Sequence, residues 1–149
     1  MLLAAFGLQQ IDLNTALAPH LANAGVTHAV LALQLRARLD AMAYPYEQVR
    51  ELMINHDFET ISLIYVQNRS RFFARIAFAM GGVVEDPAAG AAAAALGGLR
   101  VDPGWPGLFA DHHFSIRQGS DMGAPSVIQV QVSGVKGPAV RVRGRARVI

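Results

Sequence analysis

The chain of 149 residues contains no cysteine, which excludes a disulfide framework and any thiolate mechanism. That absence leaves the compartment open and favours the cytoplasm. Charge is scarce: 16% of residues are charged, and Lys136 is the one lysine among 13 basic residues. A formal net charge of +2 gives little reason to expect nucleic acid as a partner. No uninterrupted apolar run reaches the roughly 18 residues of a membrane span, so no membrane partner is expected. The start, Met1-Leu2-Leu3-Ala4-Ala5-Phe6, lacks a basic n-region and a clear cleavage site, which argues against a signal peptide. Apolar side chains, by contrast, are abundant at 52%. Such a composition means a large core or a surface that a partner covers. The length suits one domain over residues 1–149.

The stretch Gly81 to Leu99 organises the rest. Glu85-Asp86-Pro87 is followed by Ala88-Ala89-Gly90, five alanines and Leu96-Gly97-Gly98-Leu99. Ala is the best helix former, and Pro is tolerated in a first turn. The pattern predicts a short helix over about 88–98, with Asp86 as its N-cap and Gly97-Gly98 as its stop. With no polar face, that helix belongs inside the protein. Its N-terminus, near Asp86 and Gly90, suits an anion.

Around it, Leu2 to Leu8 reads as a short helix that begins without a cap, as if something preceded it. Asp12 to Ala24 reads as loop or broken helix. Val26 to Leu35 is a buried strand. Leu35 to Met42 and Tyr46 to Ile54 are amphipathic helices, the second with Val49, Leu52 and Met53 inward. Glu59 to Val66 and Arg71 to Phe78 make a hairpin. Asp102 to Gly107 is a loop. His113 to Gln118, Ser126 to Val132 and Ala139 to Val148 are strands, the last two joined across Gly134 to Pro138. The class is α+β, with mixed or antiparallel sheet around one buried helix.

Few residues announce chemistry. Asp86 caps the helix, or it binds a substrate amine or shuttles a proton at the helix mouth. Glu85 reads as its solvated neighbour. Adjacent carboxylates without a nearby histidine do not make a metal site, and no metal or cofactor is expected. His112 and His113 lack further ligands at metal spacing. His28, in an apolar strand, reads as a core or rim histidine. The serines lack a nucleophile-elbow context. Arg141, Arg143, Arg145 and Arg147 alternate, so on a strand they share a face. That stripe holds phosphates or is the wet face of an edge strand. No aromatics lie among the arginines to stack bases, which favours the wet face.

Two stretches carry a resemblance. Arg75 to Gly98, with Gly81-Gly82-Val83-Val84-Glu85-Asp86-Pro87-Ala88-Ala89-Gly90 and the alanine run at its centre, resembles the Glu-Asp-Pro-Ala-Thr-Gly signature of the phenazine-biosynthesis isomerase (PhzF-like) family. Gln118-Gly119-Ser120-Asp121-Met122-Gly123-Ala124-Pro125-Ser126 resembles that family's Gln-Gly-x-x-Met-Gly-Arg-Pro-Ser turn. Ala24 to His28 fits the strand that opens its second half. The resemblance implies a diaminopimelate-epimerase-like fold of two lobes, each a sheet around a helix, of which this chain is the second. It implies cofactor-independent proton transfer on a small carboxylic or amino acid. Asp86 corresponds to an active-site Asp that orients the substrate, and Gly90 and Ala91 to the place where its carboxylate binds. The family's catalytic Glu belongs to the first lobe and has no counterpart here. Ala89, Ala91 and Ala124 replace a Thr, a Ser and an Arg that family members carry, so backbone donors survive and side-chain donors do not. The expected states are a lobe paired with a complementary first-lobe chain, a homodimer that binds small acids without catalysis, or a reading frame with an upstream half.

Overall fold

The run from Val26 is apolar on both strand faces, so it can only sit where both faces are covered. The computed structural model describes residues 1–100, 112–133 and 139–145. The elements are α1 (Leu2–Ala5), β1 (His20–Asn23), β2 (Thr27–Leu33), α2 (Arg36–Asp40), α3 (Tyr46–His56), β3 (Thr60–Asn68), β4 (Arg71–Ala77), β5 (Glu85–Asp86), α4 (Gly90–Leu99), β6 (His113–Gln118), β7 (Ser126–Gln131) and β8 (Arg141–Arg143).

The strands form one sheet in the order β1-β2-β3-β4-β6-β7-β8, with β5 beside β4. The pairs β2–β3 and β4–β6 are parallel and the others antiparallel. Helix α4 packs on β1 and β2 at one end of that order and on β7 and β8 at the other. A flat sheet cannot bring both ends to one helix about 10 Å across, so the sheet curls around α4. Alternation then sorts each strand. Val30, Ala32, Ile64, Phe72, Ala74 and Ile76 face α4. Leu31, Leu33 and Leu63 face the opposite way, beneath Leu39 of α2 and Val49 and Met53 of α3.

The helix expected over 88–98 forms as Gly90–Leu99. Ala92, Ala93, Ala95, Leu96, Gly97 and Leu99 are buried, while Gly90, Ala91 and Gly98 are exposed. Gly97-Gly98 does not stop it. A Cβ on Gly97 would stand 2.8 Å from Cγ1 of Val140 and 3.1 Å from Cγ1 of Val130. Gly97 is there to let the sheet close on the helix.

The Asp12–Ala24 stretch holds strand β1, not only loop. Its four residues carry too little pattern to read, and their pairing with Thr27–Val30 is what makes them a strand. The Asp102–Gly107 loop, the Gly134–Pro138 connection and Arg147 lie outside the described residues.

Candidate functional site

Strand β5 sends its two neighbouring carboxylates to opposite faces. Asp86 pairs with Ile76 and so turns to the α4 side; Glu85 pairs with Ala77 and turns away. Glu85 is not solvated. It is 5% exposed and accepts from Arg75, with Nη2 2.7 Å from Oε2 and Nε 3.1 Å from Oε1. Those hydrogen bonds raise the Arg75 pKa, against a smaller effect of burial. Arg75 Nη1 also donates to the Asp40 carbonyl at 2.9 Å, and Asp121 lies 3.7 Å from Nε. The Tyr44 hydroxyl donates to the Val84 carbonyl. Burial, then the nearness of Tyr46 and Glu85, pushes that phenol up to about 12. The backbone leading into Asp86 is therefore held from behind by charge and by a hydroxyl.

Asp86 does not cap α4. The N-cap is Ala89, and no side chain caps the helix. Pairing with β4 keeps Asp86 in extended backbone, three residues too early. Its Oδ1 accepts from the Ala88 N–H at 2.8 Å, a turn that Asp side chains favour. The first N–H groups of any helix lack intrahelical acceptors. Gly90 and Ala91, in the first turn of α4, are exposed. The structure thus places Asp86, Gly90 and Ala91 along one short path, with Asp86 half-buried.

The second quoted stretch closes over the first. Gln118 Nε2 donates to the Asp86 carbonyl at 2.8 Å, and Ser126 Oγ donates to the Pro87 carbonyl at 2.7 Å. Gly119 lies at φ 76°, and a Cβ there would come within 2.9 Å of the Pro87 carbonyl oxygen, so only glycine permits the closure. Between the two stretches lies a groove of about 570 Å³ bordered by Phe78, Val84, Asp86, Pro87 and Met122. Arg143 and Arg145, exposed as a wet edge strand requires, also border a second depression of about 640 Å³ beside Ala88 and Pro125. That placement depends on where β8 ends, which the alternation does not reveal.

His28 is buried, as a core histidine should be, with Nδ1 2.8 Å from Thr60 Oγ1. Burial lowers its pKa. Among the described residues, no three His, Asp or Glu gather as a metal site would need. No helix among them is long and apolar enough to cross a membrane.

No curated protein matches the sequence. The fold is similar to that of a protein described as a predicted epimerase from Pseudomonas aeruginosa, with a TM-score of 0.71 at 24% identity, covering 99% of this chain and 50% of that one. It is similar to a Bacillus anthracis phenazine biosynthesis protein of the PhzF family, with a TM-score of 0.70 at 17% identity, covering 95% and 49%. It is also similar to a PhzF-family phenazine biosynthesis protein from Enterococcus faecalis, with a TM-score of 0.60 at 16% identity, covering 96% and 48%. The chain spans about half the length of these structures. A family model described as phenazine biosynthesis-like protein matches residues 2–149, and the chain belongs to that family, PhzC-PhzF.

Proposed function

We propose that this chain acts as one lobe of a two-lobed, cofactor-independent isomerase, the lobe that corresponds to the family's second. The mouth of α4 would bind a small amino acid or amino-bearing acid. The observation that supports this is the turn of Asp86 to the α4 side, one short turn from an uncapped helix N-terminus. The open N–H groups at Gly90 and Ala91, with the helix dipole, favour the ligand's carboxylate. The Asp86 carboxylate repels a plain acid but pairs with an amine, so it selects and orients amino-bearing ligands. Proton transfer requires a general base within hydrogen-bond reach of the migrating proton, and that carboxylate would come from the facing lobe. Val83, Val84 and Met122, 47%, 59% and 43% exposed beside the groove, make an apolar face for a second lobe or a second copy.

The test is deuterium exchange into a bound amino acid, followed by NMR. The isolated chain should stay near background, and a separately made first lobe should raise the rate. Asp86→Asn should weaken amino-acid binding more than binding of the matching plain carboxylate. Strong exchange by this chain alone, abolished by Asp86→Asn, would make Asp86 the base and defeat the division of labour. A second reading, a binding subunit without catalysis, is favoured by Ala89, Ala91 and Ala124, which offer no side-chain donors. Binding without exchange, even with a first lobe present, would select it.

A further inference from the structure

The outward faces of β6, β7 and β8 lie in register and carry polar side chains in rows. Arg143 stands opposite Gln129, Gln129 opposite Ser115, and Ser115 opposite Arg71 of β4. In the adjacent row Arg141 stands opposite Gln131 and Gln131 opposite His113. Arg117 follows on the same face of β6. Four arginines therefore share the part of this face made by β6–β8 and the start of β4; further along β4, Arg75 on the same face is already paired with Glu85. The acids found in ion pairs, Asp12, Asp40, Glu85 and Asp121, are all engaged by Arg36, Arg38 or Arg75. Among the described residues, none of Arg71, Arg117, Arg141 and Arg143 has an ion-pair or side-chain hydrogen-bond partner. Like charges held side by side on a sheet destabilise it, and an anion bound between them removes that cost.

The rows also have a shape. His113, Ser115, Gln129, Gln131, Arg141 and Arg143 border a depression of about 310 Å³, the size of a small-molecule site. Its donors are two planar guanidiniums two residues apart, two amides, a hydroxyl and an imidazole. Guanidinium forks match phosphate oxygens bidentately. Among the described residues of β6–β8, no Phe, Tyr or Trp stands on this face to stack bases, and Phe73, at its margin, is already covered by the Arg36 guanidinium 3.7 Å from its ring centre. We propose that this face of β6–β8 is a binding site for a phosphorylated small molecule, with Arg141 and Arg143 as its principal ligands. The depression shares Gln129 and Arg143 with the one beside Ala88, and the proposal does not rest on the reading given for the α4 mouth.

Isothermal titration calorimetry of the full chain with inorganic pyrophosphate tests this. One site should appear, weakened by salt, and Arg141→Gln with Arg143→Gln should lower its affinity about tenfold or more. Arg50→Gln, an exposed cation on α3, should leave it unchanged. Amide NMR shifts of the unmutated protein provide a readout that needs no variant, and should concentrate in β6, β7 and β8. Shifts spread over all arginine-bearing surfaces, or equal losses in the Arg50 variant, would reduce the site to general attraction and overturn it. So would an absence of binding at millimolar pyrophosphate. Far tighter, steeply salt-dependent binding of a single-stranded oligonucleotide to the same strands would assign the face to nucleic acid instead and sink the small-molecule proposal.

Discussion

Two hydrophobic layers lie on opposite sides of the same sheet, and they are built from different side chains. On its helix side, the layer between the sheet and α4 is built largely from Ala89, Ala92, Ala93, Ala95 and Gly97, with Leu96 and Leu99 beside them. The layer beneath α2 and α3 relies on Leu31, Leu33, Leu39, Leu63 and Met53. The difference follows from curvature. A sheet that curls around a helix leaves little radial space, so the enclosed helix must be thin. Helices on the convex side have room, so long side chains fill it. One layer is limited by crowding and the other by filling, and substitutions should fail in opposite directions on the two sides.

The largest effect is expected on the convex side. Leu63 is 1% exposed there. Leu63→Ala removes buried methyl groups and leaves a cavity, at a cost of about 2–5 kcal/mol, read by urea denaturation. The reciprocal change belongs to the inner layer. Ala93, 2% exposed, sits on the buried side of α4, and Ala93→Leu should destabilise by about 1–3 kcal/mol through overpacking. Should Ala93→Leu be neutral, the inner layer has slack and the contrast between the layers breaks. A smaller loss is expected where the inner layer meets the candidate site. Gly119→Ala should cost about 1–2 kcal/mol for its left-handed backbone. It should also move the Pro87 carbonyl, so amino-acid affinity should fall further than stability does. Unchanged affinity in a folded Gly119→Ala protein would uncouple the Gln118–Ser126 turn from Asp86.

The same contrast explains what the sequence makes legible. Val49, Leu52 and Met53 recur at helical spacing, and they are the buried residues of α3. Large side chains on a regular period make a strong pattern. The alanine run is also plain, but five identical small residues carry no phase, so neither the helix's start nor its end can be read to the residue. Asp before Pro-Ala-Ala suits a helix cap; the two-residue pairing with β4 that holds Asp86 in a strand instead is non-local. Glu85 was hidden for the same reason. Its signal was Arg75, a cation set among apolar residues in the middle of a strand ten residues earlier, which a solvated partner would not require. The face of β6–β8 was half legible: alternation puts Arg141 and Arg143 together, but Arg71 and His113 join them only through the sheet's order.

The smallest predicted effect sits at a polar corner of the inner face. His28 is 1% exposed. Its Nδ1 contacts Thr60 Oγ1 at 2.8 Å, and that oxygen lies 3.4 Å from Ser62 Oγ. The ring's Nε2 is buried without a hydrogen-bond partner among the described residues, so a proton added there gains no acceptor from them. Burial accordingly lowers the His28 pKa. In the unfolded chain the imidazole returns to its ordinary value of about 6.5. At pH values above that, both states are neutral and the contribution to stability is full and flat. As pH falls below it, the unfolded chain takes up a proton that the folded chain resists, and stability declines until the folded pKa is passed. One proton sets the limit, about 1.4 kcal/mol per pH unit. Urea denaturation at constant ionic strength from pH 8 to pH 5, on the parent and on His28→Leu, isolates the effect, because His20, His56, His112 and His113 are common to both proteins. The parent should lose more stability than the variant across that window. Parallel curves would mean that the inner layer admits a charged imidazole, and that its crowding does not extend to this end of the sheet.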